Sequence, residues 1–274
     1  MNIISASRRT DIPAFFSKKF FESMRRGYYS FVAPYNKETI KVSLKTKDVS
    51  CFVFWSKNYG PFTKYLDEFD SYGIPAYFHY TITNYHKFYE KNVPPVDSLV
   101  KYAKILSERY GRQCVRWRYD PIFYTEKIDA DSHWDNFRYL VDRLAEYTDS
   151  CYISAVDFYG KIEKNPLVRK KFKKTIYNGD GTLCSSFLDL AAKMAELCKE
   201  NDIVLNSCCE KELLKLGIKK ASCVDGDLIR KIVGDSKKLE IKKGGTRDGC
   251  GCCKSIDIGE YGTCLMGCIY CYAS

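Results

Sequence analysis

The chain has 274 residues, 45% of them hydrophobic, enough to bury a large core in one domain or two small ones. No run approaches the roughly 18 consecutive apolar residues of a membrane span, and the opening Met1-Asn-Ile-Ile-Ser-Ala-Ser-Arg8-Arg9-Thr-Asp11 has no apolar leader, so a cytoplasmic protein with no membrane partner is predicted. A formal charge of +10 points to a nucleic acid or another anionic partner, and 14 cysteines in a reducing cytoplasm read as metal ligands and small buried groups rather than disulfides.

From the first residues onward, short apolar runs alternate with amphipathic segments, the pattern of β/α units on a parallel sheet. Strands are predicted at 3–7, 51–56, 76–83, 114–119, 151–157, 203–207, 221–224 and 255–258. Between them, helices are predicted at 17–26 ahead of Gly27, and along the stripe Phe62, Tyr65, Leu66 and Phe69 ahead of Gly73. Further stripes are Leu99, Ala103, Leu106 and Tyr110; Trp134, Phe137, Val141 and Leu144; and Leu188, Ala191, Ala195 and Cys198. Shorter helices fit 210–216 and 227–233, each followed by glycine. Eight strands and seven helices predict an α/β fold, a (β/α)8-like TIM barrel, complete or partial, with 1–249 as its body and the cysteine-rich 250–274 completing the same domain. The basic runs 161–174 and 237–247 read more readily as solvated faces than as binding grooves.

Polar residues bunch where the predicted strands end, which in a barrel is the mouth that carries the active site. Arg8, Arg9 and Asp11 follow the first strand, Lys57 and Asn58 the second, Thr81 and Asn84 mark the end of the third, Arg118 and Asp120 the fourth, and Asp157 the fifth. Arg8, Arg9, Asp11, Lys57, Arg118 and Asp120 are the candidate catalytic residues, since a guanidinium fork suits a carboxylate and paired charges suit an anionic ligand. An internal ion network of Arg116, Arg118 and Asp120 is the competing reading. His79, His86 and His133 are not spaced as a metal set, and His79 reads more readily as a satisfied structural histidine. No phosphate-binding glycine loop, G-x-S-x-G elbow or H-E-x-x-H helix is present.

The densest chemistry lies in residues 250–274, which hold six of the 14 cysteines where even spreading would put about one. Cys264, Cys268 and Cys271 are spaced C-x3-C-x2-C with Tyr270 before the third. Three thiolates can hold three irons of a cubane and leave the fourth open to a small molecule; zinc is the alternative metal. A second set, Cys208, Cys223, Cys250 and Cys252, converges if the sixth, seventh and eighth strands are neighbours, and would suit zinc or a second iron–sulfur cluster. Cys209 is an alternative to Cys208, and Cys51, Cys114, Cys151, Cys184, Cys198 and Cys253 read as core or spare thiols.

The C-x3-C-x2-C stretch resembles the cluster motif of the radical S-adenosylmethionine (radical SAM) superfamily. Over essentially its whole length the chain also resembles a microbial family known as domain of unknown function 1848. The residues that carry this second likeness are Ile4-Ser-Ala-Ser-Arg8-Arg9-Thr10-Asp11-Ile-Pro13, Phe54-Trp55-Ser56-Lys57-Asn58, Arg118-Tyr119-Asp120-Pro121 and the Cys250-Gly-Cys252 to Cys271 tail. That family has a C-terminal cysteine cluster similar to the N-terminal one of the radical enzymes. The resemblance implies a [4Fe-4S] cluster on Cys264, Cys268 and Cys271, S-adenosylmethionine on its open iron with Tyr270 near the adenine, and an electron donor as partner. It also implies cleavage to a 5′-deoxyadenosyl radical that takes hydrogen from a substrate. In a closed barrel the last strand lies beside the first, so a circular permutation would bring the late motif to the usual mouth. A zinc or iron–sulfur module that only binds nucleic acid and an electron-transfer protein are the other readings.

Overall fold

A computed structural model describes residues 1–158, 160–234, 241–245 and 249–273, and is silent on the side chains of Lys161, Lys173 and Lys174. Eight strands form one all-parallel sheet: β1 (Asn2–Ala6), β2 (Val49–Ser56), β3 (Ala76–Thr81), β4 (Val115–Ile122), β5 (Ser150–Ala155), β6 (Val204–Ser207), β7 (Lys219–Lys220) and β8 (Ile256–Asp257). Their order is β7-β6-β5-β4-β3-β2-β1-β8, so each strand lies beside its sequence neighbour and the last lies beside the first. Among the described residues no ladder joins β7 to β8.

Side chains alternate across each strand, and the sheet has two different faces. Ile4, Ala6, Phe52, Phe54, Phe78, Tyr80, Trp117, Tyr119 and Ile153 face the main helical layer. That layer includes Val96–Tyr110, Ala130–Leu144 and Ser185–Glu200, the three helices that follow the predicted stripes. Phe54 stacks on Phe78 and Trp117 on Phe137, which fixes strand against strand and strand against helix.

The second face carries Ile3, Cys51, Val53, Tyr77 and Tyr152. It is covered by Leu228, Ile229 and Val233 of the helix Gly226–Val233, so this helix packs apart from the main helical layer. Toward the C-terminal strand ends the same face turns polar, with Ser5, Trp55, His79, Arg118 and Ser154. Apolar packing at one end therefore gives way to a hydrogen-bonded cluster at the other, as burial of polar groups requires.

Two expectations are corrected, and one element was missed. The predicted strand 221–224 leaves the sheet because side chains take its backbone groups: the Cys223 carbonyl accepts from Tyr77 Oη and from His79 Nε2, both at 2.7 Å, and Val224 N–H donates to Cys252 Sγ at 3.3 Å. The stripe 62–69 is two short helices, Gly60–Thr63 and Leu66–Ser71, with the chain out of helical geometry at Tyr65. A hairpin of Tyr28–Val32 with Thr39–Ser43, turning through Lys37 at φ +60°, was not predicted at all.

Basic residues Arg169, Lys170 and Lys171 lie exposed on the helix Pro166–Lys171. Most of the second basic run lies outside the described residues. Among the described residues no helix is long and apolar enough to cross a membrane.

Candidate functional site at the strand ends

Two carboxylates pin the loops that leave β1. Asp257, at the end of β8, accepts from Ser7 Oγ at 2.6 Å, Arg8 N–H at 2.9 Å, Gly259 N–H at 3.0 Å and Ser5 Oγ at 3.1 Å, with Arg8 Nε at 3.5 Å. Asp11 accepts from Ser56 Oγ at 2.7 Å, Lys57 N–H at 2.8 Å and Ala14 N–H at 3.0 Å, tying the end of β2 to the start of the helix Ile12–Phe15. Burial pushes the Asp11 carboxyl up to about 6 against the pull of those bonds. In this setting Asp11 positions its neighbours. Arg9 reaches the Gly259 carbonyl at 3.5 Å and lies over the Tyr261 ring.

Lys57 points into the protein. Its ammonium lies 2.8 Å from Glu90 Oε1, an oxygen that also accepts from Thr83 Oγ1 at 2.7 Å and from the Tyr270 hydroxyl. Burial alone would lower the lysine's pKa, but the charge and hydrogen bond of Glu90 raise it, so Lys57 stays an ammonium. Glu90 Oε2 and Thr10 Oγ1 are both buried without a protein partner.

Arg118 lies between the rings of Trp55 and Tyr152, 5.4 Å from each centroid, with Nη2 2.5 Å from Asp120 Oδ2 and Nη1 3.3 Å from Cys223 Sγ. Asp120 also receives the Ser154 hydroxyl. Arg116 pairs with Asp149 and Asp225, so the expected Arg116, Arg118 and Asp120 network is two separate pairings. His79 stacks on Trp55 at 4.1 Å, and burial together with Arg118 holds its pKa well below the usual imidazole range. A neutral ring that donates from Nε2 to the Cys223 carbonyl leaves Nδ1 as a buried acceptor with no protein donor. His133 is satisfied by Tyr119 and Phe123, whereas His86 only caps a turn at Phe88.

The cysteine tail returns to these strand ends. Asn92 N–H donates to the Met266 carbonyl and Ile269 N–H to Tyr89, Tyr272 Oη donates to the Arg8 carbonyl, and Gly267 supplies a turn at φ +71° between the first two thiols. Cys264 lies close to the backbone of Met266 and of Asp11. Cys268 is buried, which raises its pKa, and Lys57, Glu90, Cys271 and Cys264 are its neighbours. The three thiols therefore share one neighbourhood, beside Asp11 and Lys57. Tyr270 packs its ring on Phe123 and Tyr85 with its hydroxyl on Glu90, which makes it a support for Glu90.

The second thiol set also gathers. Cys208 Sγ lies 3.9 Å from Cys223 Sγ; Cys223 contacts Cys252, and Cys252 contacts Cys250. Cys209, at φ +75°, instead lines a cleft of about 180 Å³ with Cys208, Asp157, Tyr177 and Glu210. Cys51, Cys114, Cys151 and Cys198 are buried in the core, Cys253 sits against Gly226, and Cys184 lies beside Ser186. Among the described residues no group of three or more His, Cys, Asp or Glu side chains is arranged to hold a metal ion, so each set is a group of neighbours that a metal would have to draw in.

Asn58 caps the turn at Gly60, Asn84 pairs with Asn136, and Thr81 ends β3. Trp55, Glu90 and Asp257 were not among the candidates. Trp55 and Asp257 were within reach, as polar or aromatic residues in register with Ser5 and His79; Glu90 lies in irregular chain and carries no sequence signal.

The model of one family, described as Domain of unknown function (DUF1848), matches residues 3–273. No curated protein and no solved structure matches the chain.

Proposed function

The chain belongs to the DUF1848 family, and on that premise we propose that it is a cytoplasmic radical SAM enzyme in which Cys264, Cys268 and Cys271 hold a [4Fe-4S] cluster. The observation that carries this reading is the return of the tail to the ends of β1 and β2, with Cys264 on the Asp11 backbone and Cys268 beside Lys57 and Glu90. The donor set fits: three thiols of cubane spacing share one neighbourhood, with a buried ammonium to offset their negative charge. Such a cluster, when bound, supplies one electron to the sulfonium of S-adenosylmethionine.

The chain's own residues do the rest. Asp11 and Asp257 fix the loops on which Arg8 and Lys57 stand, and these two cations face a carboxylate ligand. Glu90 Oε2, buried and without a protein donor, is an acceptor for an ammonium or hydroxyl of the ligand. Arg118, Asp120, Trp55 and the Nδ1 of His79 line the adjoining face for the substrate, which the +10 charge favours as a nucleic acid. The sheet curls into a permuted barrel around them. Tyr77 on β3 bonds both Cys223 and Asp225 beyond β7, whereas a flat sheet at about 4.8 Å per strand would hold β3 and β7 roughly 19 Å apart.

The test is spectroscopic. Anaerobically reconstituted and reduced protein should give a [4Fe-4S] electron paramagnetic resonance spectrum that changes when S-adenosylmethionine is added. A cluster that is intact and indifferent to S-adenosylmethionine would overturn the assignment.

A further inference from the structure

The second thiol set lies outside the proposed cluster, with Arg118 against Cys223 and Asp120 against Arg118. Its members come from separate segments: Cys208 follows β6, Cys223 follows β7, and Cys250 and Cys252 lie on an irregular stretch held by Cys253 N–H on the Val224 carbonyl at 2.9 Å. These four form a continuous series from Cys208 to Cys223 to Cys252 to Cys250.

We infer that Cys208, Cys223, Cys250 and Cys252 bind a single tetrahedral divalent ion of the zinc type, which bolts the segment 249–253 to the ends of β6 and β7. The one short sulfur–sulfur distance in the set favours a single ion. Thiolates about 2.3 Å from a shared tetrahedral metal stand about 3.8 Å apart, close to the 3.9 Å between Cys208 and Cys223 Sγ. Ligands on separate corners of a cubane stand much farther apart, so the same distance argues against a second cluster.

The surroundings suit bound thiolates. Val224 N–H donates to Cys252 Sγ at 3.3 Å, and the Arg118 guanidinium donates to Cys223 Sγ at 3.3 Å, setting positive charge against a tetrathiolate that carries net negative charge. Cys250 stands at the end of the series and is the ligand that must swing inward when the metal binds.

The experiment uses the full chain carrying Cys264→Ala, Cys268→Ala and Cys271→Ala, which removes the first thiol set and makes the outcome independent of the proposed enzyme activity. Metal analysis should find one zinc per chain. Replacement by cobalt(II) should give the visible and near-ultraviolet bands of a tetrathiolate, and adding Cys223→Ser or Cys252→Ser should abolish them, whereas Cys114→Ala should not. If the serine variants fail to fold, the cobalt spectrum of the triple variant still decides. A folded triple variant that takes up neither zinc nor cobalt overturns the site. Iron together with sulfide in that variant overturns the choice of a single ion.

Discussion

Lys57 and Glu90 form an ion pair at 2.8 Å, with side chains only 14% and 1% exposed, directly behind Cys268. Removing one partner strands the other charge in the interior. Lys57→Met and Glu90→Leu are each expected to lose about 3–5 kcal/mol of stability, and the double variant is expected to recover much of it. Urea unfolding of the three proteins checks this; a double variant that loses the sum of the two single losses would mean that the pair is not coupled.

His133 gives a pH dependence of known sign. Burial holds its folded pKa down to about 4, against an ordinary value of 6.5. As pH falls from about 6.5 to 4 the unfolded chain gains this proton and the folded chain does not, so stability falls with acidification across that window. The full effect is about 3 kcal/mol. His133→Gln, which keeps a hydrogen-bonding side chain, is expected to flatten the difference between urea midpoints at pH 7 and pH 4.5 relative to the parent. An unchanged slope would assign the titration elsewhere.

Gly259 stands where any side chain would strike the Asp257 network. A Cβ there would come within 1.9 Å of Ser7 Oγ, the group that donates to Asp257 at 2.6 Å. Gly259→Ala is expected to cost about 1–3 kcal/mol by overpacking and to loosen the approach to Cys264. Thermal unfolding, together with iron retention after gel filtration, would show both effects. A variant as stable as the parent would mean that the turn relaxes freely.

How far the fold could be read depended on which residues carry a period. Phe52 and Phe54, Phe78 and Tyr80, and Ile4 and Ala6 alternate with side chains of the other face, and glycines at 27, 111 and 234 stop helices where predicted. The six longer strands and the main helices were therefore legible. The predicted strand at 221–224 failed because Tyr77, His79 and Cys252, distant in sequence, take its backbone groups. Spacing marked both thiol sets, but it could not choose between Cys208 and Cys209, which are separated only by the backbone turn at Cys209. Glu90 was beyond reach: residues 82–95 have no regular pattern, and its importance arises from Lys57 and Tyr270, which only the folded chain brings to it.

The most direct test of the central claim is product formation. Anaerobically reconstituted protein given dithionite and S-adenosylmethionine should release 5′-deoxyadenosine and methionine, and Cys268→Ala treated in the same way should release none. An intact [4Fe-4S] protein that forms no 5′-deoxyadenosine, or a Cys268→Ala variant that forms as much as the parent, would contradict the account.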